Sequence, residues 1–136
     1  MTTAEATLFD RLALLSDTTR GRLLLALEEQ ELTVSELTTV LQLPQSTVSR
    51  HLKVLGDDGW VASRRDGTSR LYRATLDRLP DSAQDLWRLA REEVATMPSA
   101  RGDLERLAAV LAERRARSQE FFSSAAGKWD HLRREL

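Results

Sequence analysis

"LPQSTVSRHLKVLGDDGW", residues 43–60, contains a proline break, a short helix and a glycine stop. The helix is predicted over residues 46–57, because Pro44 precedes it and Gly59 follows it. Its apolar residues recur on one face at helical spacing, which predicts that this face anchors the helix to a core. The anchoring residues are Val48, Leu52 and Leu55, and the outer side is polar, with Gln45, Ser46, Thr47, Ser49, Arg50 and Lys53.

The polar side of this helix suits the major groove of a DNA duplex. Small residues at its N-terminal end let the backbone approach the base edges, which bulky side chains would prevent. Arg50 matches the two acceptors of a guanine, and Lys53 is suited to neutralise a phosphate. The simpler interpretation is that Ser46 caps the helix and that both cations are only solvated.

Two short strands are predicted after the helix, over residues 60–65 and 69–74, joined through Asp66-Gly67, a dipeptide typical of hairpin turns. A basic ribbon beside a groove-binding helix reaches phosphates or the adjacent minor groove. We therefore expect a wing, about residues 61–74, to contact the flanking DNA. An edge hairpin also uses charge to discourage sheet pairing, which is the alternative. The arginines at the tip are Arg64, Arg65 and Arg70, with Arg73 further along the second strand.

The remaining segments are predicted to be helical. Three helices precede the central one, and two follow the wing, with a break at Pro98 and a polar linker between them. This order, α-α-α-α-β-β-α plus a C-terminal helix, predicts a mainly α (α+β) winged helix-turn-helix. We divide the chain into a DNA-binding and dimerisation domain, residues 1–98, and a C-terminal helical extension or connector, residues 99–136. The predicted ranges are 4–15, 18–31 and 34–41 before the central helix, and about 81–97, 99–102 (linker) and 103–118 after the wing.

Composition excludes several classes of protein. The 136 residues, 41% of them hydrophobic, suffice for one core, and the absence of cysteine removes disulfides and thiolate metal sites. No segment has the apolar length of a membrane span or the pattern of a signal peptide, so we expect a cytoplasmic protein without a membrane partner. No catalytic constellation or cofactor motif is present, so we expect neither enzymatic activity nor a cofactor. Net charge is −1 overall, yet six Lys or Arg oppose three Asp between residues 46 and 73.

Three aromatic or imidazole side chains in this region invite other interpretations. His51 lies next to the anchoring face, and we expect a structural, hydrogen-bonded histidine rather than a metal ligand or an acid-base group. Trp60 and Tyr72 are expected to pack at the base of the wing rather than stack on bases.

The stretches "LLSDTTRGRLLLAL" (residues 14–27) and "LTVSELTTVLQLPQSTVSRHLKVLGDDGWVASRRDGTSRLYRA" (residues 32–74) together resemble the ArsR/SmtB-type bacterial transcriptional repressors. The resemblance implies a homodimer, with the first and fifth helices at the interface, that represses by binding an inverted-repeat operator in double-stranded DNA. It places Arg65 and Arg70 on the wing. It places at the groove Gln45, Ser46, Thr47, Ser49 and Arg50.

The chain departs from the family pattern at several positions. Thr18 stands where proline is usual, and Gln42 stands where the turn often has glycine, at a cost of about 1 kcal/mol if that site is left-handed. Metal-responsive members use cysteine, or histidine with carboxylates on the fifth helix, and neither set is present. We therefore expect no metal site, and a solvated face for the carboxylates of the fifth helix, which are Asp85, Glu92 and Glu93.

The segment "DLERLAAVLAERRARSQEFFSSAAGKWDHLRREL", residues 103–136, resembles the connector of a subgroup in which the repressor domain precedes an S-adenosylmethionine-dependent methyltransferase domain. That resemblance implies a possible effector, S-adenosylmethionine or its demethylated product. No glycine-rich cofactor turn follows, so this chain alone is not expected to methylate. Three alternatives stay open: a truncated regulatory domain of such a fusion, a dimer-bracing helix, and an interaction module that no longer binds DNA. The apolar stripe of this helix is Leu104, Leu107, Ala108 and Leu111.

Overall fold

The computed structural model describes the backbone of residues 7–135 and the side chains of residues 7–122. Its order of elements confirms the predicted winged helix-turn-helix, with one addition, a 3-10 turn at Leu76–Arg78. The two strands form an antiparallel hairpin, the wing. The bounds are α1 Leu8–Leu15, α2 Thr18–Leu27, α3 Val34–Leu41, α4 Gln45–Asp57, β1 Val61–Asp66, β2 Ser69–Ala74, α5 Asp81–Thr96 and α6 Pro98–Glu135.

Local capping explains where the helices begin. Thr7 and Thr33 are N-caps with reciprocal capping boxes, so α1 begins at Leu8, and α3 begins where predicted. The part of the predicted first helix before residue 7 lies outside the described residues. In each box the threonine hydroxyl accepts from a backbone N–H three residues later, which satisfies a donor that the helix itself leaves unpaired.

The predicted end of α2 and the predicted linker before α6 are wrong. α2 ends at Leu27 instead of residue 31, because Leu32 is extended and exchanges two backbone hydrogen bonds with Tyr72, with N···O distances of 3.0 and 2.8 Å. The predicted linker over residues 99–102 is the first turn of α6. Only Met97, with ψ of 145°, interrupts the helical path, and Pro98 tolerates the first helical position because its missing N–H would be unpaired there anyway.

The core lies between α2, α3, α4 and the base of the wing. The predicted anchoring face of α4 is confirmed, since all three of its apolar residues are buried. Trp60 is 1% exposed and Tyr72 packs against the same cluster, which confirms that both aromatic side chains support the wing. The buried side chains contributed by the other helices include Leu23, Leu24, Leu27, Leu37, Val40 and Trp87.

α6 packs along α3 with part of the predicted stripe, since Leu107 and Leu111 pack against the core. Leu104 and Ala108 are exposed, whereas Ala100, Asp103 and Val110 are buried. Asp103 accepts hydrogen bonds from Arg22 on α2, so the face of α6 that packs on the body includes a buried charged residue. The predicted apolar stripe of α6 is therefore confirmed at Leu107 and Leu111 and wrong at Leu104 and Ala108.

The turn between α3 and α4 is left-handed at Gln42, with φ of 56° and ψ of 46°, as the sequence suggested. Its N–H donates to Thr38 O at 2.9 Å, and its side-chain amide donates to Thr39 O at 2.6 Å. We expect Gln42→Gly to raise the free energy of unfolding by about 1 kcal/mol, because glycine adopts this conformation without steric cost. Urea denaturation measures the change. Glu105→Gly on the exposed side of α6 should lower stability by about 1 kcal/mol, and a destabilised Gln42→Gly variant would contradict the prediction.

Candidate nucleic-acid interface

The leading end of α4 is free of side-chain caps. Its N-cap is Pro44, whose carbonyl accepts from the N–H groups of Thr47 and Val48, both at 3.1 Å. The interpretation of Ser46 as the cap is therefore wrong, and Ser46 is the second helical residue. The first amides of the helix, at the positive end of its dipole, are available to an anion such as a phosphate.

The predicted groove residues form one polar surface on α4. Thr47 is half-buried and the others are exposed. Lys53 Nζ lies 3.2 Å from Asp57 Oδ2, in an exposed pair that contributes little to stability and leaves the ammonium accessible. Arg50 forms no ion pair with any side chain in residues 7–122. The exposed members of this surface are Gln45, Ser46, Ser49, Arg50 and Lys53.

The register of the wing separates its arginines onto two faces. Arg65 lies directly opposite Arg70, and residues opposite each other in an antiparallel pair point to the same face. Arg70 Nη1 donates to Ser63 Oγ at 3.2 Å on that face. The two-residue loop is Gly67-Thr68, one residue later than predicted, because the positive φ of 63° that the turn requires falls at Gly67.

Arg64 points to the other face, where its guanidinium is bound by an acidic side chain of the same chain. Its Nε and Nη2 donate to the Glu31 carboxylate at 2.7 and 3.2 Å. These hydrogen bonds from Arg64 hold the pKa of Glu31 below its usual value, with further help from the charges of Arg73 and Arg114. The structure thus brings Arg65 and Arg70 together and sets Arg64 apart.

His51 is a buried, hydrogen-bonded residue, 6% exposed, as expected for a structural histidine. Its Nδ1 lies 3.2 Å from Nη1 of Arg20, which requires the neutral ring to accept there. Arg20 also donates to Leu14 O at 2.6 Å and to Ala13 O at 3.2 Å. The guanidinium therefore ties the end of α1 to α4, a role that the sequence pattern gave no means of finding.

This arrangement predicts a pH dependence of stability. Burial lowers the pKa of His51 below its ordinary 6.5, and the charges of Arg20 and Arg50 act in the same direction, against the Asp17 carboxylate. The unfolded chain then binds more protons than the folded one, so stability is full above the ordinary value and falls as pH drops through 6.5 toward the folded pKa. We expect the melting temperature to decrease between pH 7.5 and pH 5.5, and His51→Gln to remove most of that decrease.

Calorimetry of the parent and of His51→Gln at pH 7.5 and pH 5.5 checks this prediction. The Glu31 carboxylate, whose pKa lies below the ordinary 4.5, affects stability only in more acidic solution, so the two groups separate by pH window. Equal melting temperatures at pH 7.5 and 5.5, or a decrease of the same size in His51→Gln, would contradict the assignment.

Metal and membrane sites are not apparent within the described part of the chain. No group of three or more His, Cys, Asp or Glu side chains comes together there. The carboxylates of α5 are exposed as predicted, with Asp85 paired to Arg88 at 3.0 Å. None of the described helices combines the length and the apolar character that a bilayer crossing needs.

Known proteins share this arrangement. The arsR family of bacterial regulatory proteins matches over residues 17–63. A 60-residue segment is 47% identical to the arsenic resistance transcriptional regulator ArsR1 of Pseudomonas putida, covering 43% of this chain and 47% of that protein, about half its length. A 75-residue segment is 36% identical to the arsenical resistance operon repressor of Staphylococcus aureus, covering 55% of this chain and 72% of the repressor.

The fold also matches solved regulators. The transcriptional repressor BigR from Xylella fastidiosa superimposes with a TM-score of 0.52 at 32% identity, over 62% of this chain and 80% of BigR. The proteins named in these comparisons are transcriptional regulators or repressors. Because 72% of the Staphylococcus repressor is covered at 36% identity, and because the winged helix-turn-helix geometry is in place, the chain belongs to the arsR family of bacterial regulatory proteins.

Proposed function

We propose that this chain is a sequence-specific transcriptional repressor that binds an inverted-repeat operator as a homodimer. The observation that carries the proposal is the exposed Arg50 on α4, near small side chains, together with Arg65 and Arg70, which lie opposite each other on the wing. α4 enters the major groove, where Arg50 reads a base pair and the hydroxyl residues approach the base edges. The wing neutralises flanking phosphates or reaches the adjacent minor groove.

Exposed apolar side chains on α1 and α5 support the dimer. Phe9 is 77% exposed and Leu89 is 70% exposed, and Leu8 and Leu12 extend the patch on α1. The two helices contact each other, and Arg11 Nη1 donates to Ser82 Oγ at 3.0 Å across them. A homodimer that contacts successive major grooves needs two copies of α4 about 34 Å apart, and we propose that this patch lies at its two-fold axis.

Fluorescence anisotropy with a duplex selected by the chain from a random-sequence library tests the proposal. We expect the affinity to fall steeply with salt, and Arg65→Ala or Arg70→Ala to reduce the slope of log K against log salt by about 1. Arg101→Ala, an exposed arginine on α6, is the control for loss of one charge. An unchanged slope in both wing variants would exclude wing–phosphate contact. Failure of the parent chain to bind duplex DNA at low salt would refute the proposed function.

We propose that the effector of this chain is not a soft metal or metalloid ion. Soft metal and metalloid ions are held by thiolates, and the chain contains no cysteine. The resemblance of the C-terminal segment to a methyltransferase connector suggests S-adenosylmethionine or its demethylated product instead. Thermal-shift measurements with both compounds, and with Zn²⁺ and arsenite for comparison, test this choice.

An alternative function is that of the regulatory domain of a methyltransferase fusion. It is supported by α6, which continues as a helix to Glu135, whereas its described contacts with the body end near Arg114. The same observation supports a helix that braces the dimer. The mass of the native gene product separates the two, since a fusion would exceed the 15.3 kDa of this chain by the size of an enzyme domain.

A further inference from the structure

Glu31 lies where the wing, α6 and the α2–α3 connection meet. Its carboxylate accepts two hydrogen bonds from Arg64 of β1, and its backbone carbonyl accepts from Arg114 Nη2 of α6 at 3.1 Å. Arg73 is close enough for its charge to act on the same carboxylate. One acidic side chain therefore faces the positive charges on one side of the wing.

The consequence is an asymmetric wing. The strand register places Arg65 and Arg70 on one face and Arg64 and Arg73 on the other. The first face has no carboxylate partner among the side chains of residues 7–122, while Arg64 on the second is held by Glu31. A wing inserted beside a duplex presents both faces to phosphates, so neutralising one face removes part of its attraction.

We propose that Glu31 limits DNA affinity by holding Arg64 away from the phosphate backbone. The inference rests on the proposed DNA-binding function and adds to it a positioning residue that lies outside both α4 and the wing. Removing the carboxylate frees Arg64 for a phosphate, and the chain then binds duplex DNA more tightly than its natural form.

The role of Glu31 is not to keep the wing in place. Its pair with Arg64 is exposed, with 58% of the arginine and 33% of the glutamate side chain accessible, and such pairs contribute little to stability. The wing is fixed independently by the two backbone hydrogen bonds between Leu32 and Tyr72. A further backbone bond joins Thr75 N to Trp60 O at 2.9 Å at the base of the hairpin.

The test compares Glu31→Gln with Glu29→Gln on the duplex selected by the parent chain. Glu29 is an exposed carboxylate two residues away, so its substitution makes the same change of net charge without releasing a wing arginine. One additional phosphate contact steepens the slope of log K against log salt by about 0.9. When the salt concentration falls from 1 M to 0.1 M, the affinity of Glu31→Gln should therefore rise about eightfold more than the affinity of the parent. Glu29→Gln should retain the parent slope.

A double-mutant cycle with Arg64→Gln shows whether Glu31 acts through that arginine. We expect Glu31→Gln to have no effect on the slope when Arg64 is already replaced. A slope in Glu31→Gln that equals or falls below that of the parent, an equal gain in Glu29→Gln, or a gain that persists without Arg64 would each overturn the inference. A parent chain that does not bind the selected duplex would instead refute the proposed function, on which the inference rests.

Discussion

Replacing Asp103 by alanine is expected to lower the free energy of unfolding by about 3–5 kcal/mol. The carboxylate is 5% exposed and accepts from Arg22 Nε and Nη2, both at 2.7 Å, and from Arg106 Nη2 at 3.0 Å. Its removal leaves the largely buried Arg22 guanidinium without its counter-charge, and burying an uncompensated charge is costly. Among the side chains of residues 7–122, no other acid pairs with Arg22, and its bond to the Leu41 carbonyl, at 2.8 Å, remains.

Urea denaturation at fixed protein concentration measures this effect, since dimerisation would otherwise change the apparent stability. Asp85→Ala is the matched control, because it breaks an exposed pair with Arg88 and should cost at most about 0.5 kcal/mol. Asp103→Asn preserves the shape of the side chain and gives a measurable intermediate if the alanine variant does not fold. Equal stability of Asp103→Ala and Asp85→Ala would show that the buried pair contributes nothing beyond an exposed one.

Replacing Arg50 by alanine is expected to weaken binding to the selected duplex by about 1–3 kcal/mol and to relax discrimination at one base pair. Arg50 is exposed on α4, near small side chains. Its long side chain ends in a planar guanidinium whose donors have a fixed geometry, so it suits a contact with a base edge. A bidentate contact with guanine explains both parts of the expectation, because a wrong base leaves the donors unpaired.

Lys53→Ala provides the contrast on the same helix. An ammonium that contacts only phosphate should lower the affinity for all duplexes alike and reduce the salt slope by about 1. Binding of each variant to the selected duplex and to its single-base substitutions, at one salt concentration, distinguishes the two roles. An Arg50→Ala variant with the affinity and the base preference of the parent would refute the assignment.

Local signals made much of the fold predictable. The bounds of α3 agree with the prediction because Thr33 and Glu36 form a capping box that is visible in four consecutive residues. α4 begins one residue earlier than expected, since a proline N-cap leaves no side-chain signature. The wing follows from the Asp66-Gly67 turn signal between two short strand candidates, which depends on neighbouring residues only.

The interactions that the sequence did not reveal join distant parts of the chain. Arg22 and Asp103 are 81 residues apart, Arg64 and Glu31 are 33 apart, and Arg20 and His51 are 31 apart. Periodicity does not identify the partner of a charged side chain, so the burial of Asp103 on the packed face of α6 was missed. The candidate surface on α4 was found because exposure there requires no partner within the chain.

The hydrogen bonds between α6 and α3 determine where this chain could be joined to other domains. Arg106 donates to the Val40 carbonyl near the end of α3, and Arg114 bonds the Glu36 carboxylate that caps its beginning. A chimera joined directly after α5 would lose both of these contacts, and α3 would be held less firmly. A junction placed beyond Arg114 would keep both contacts, so a module attached there would leave the packing of α6 against α3 intact.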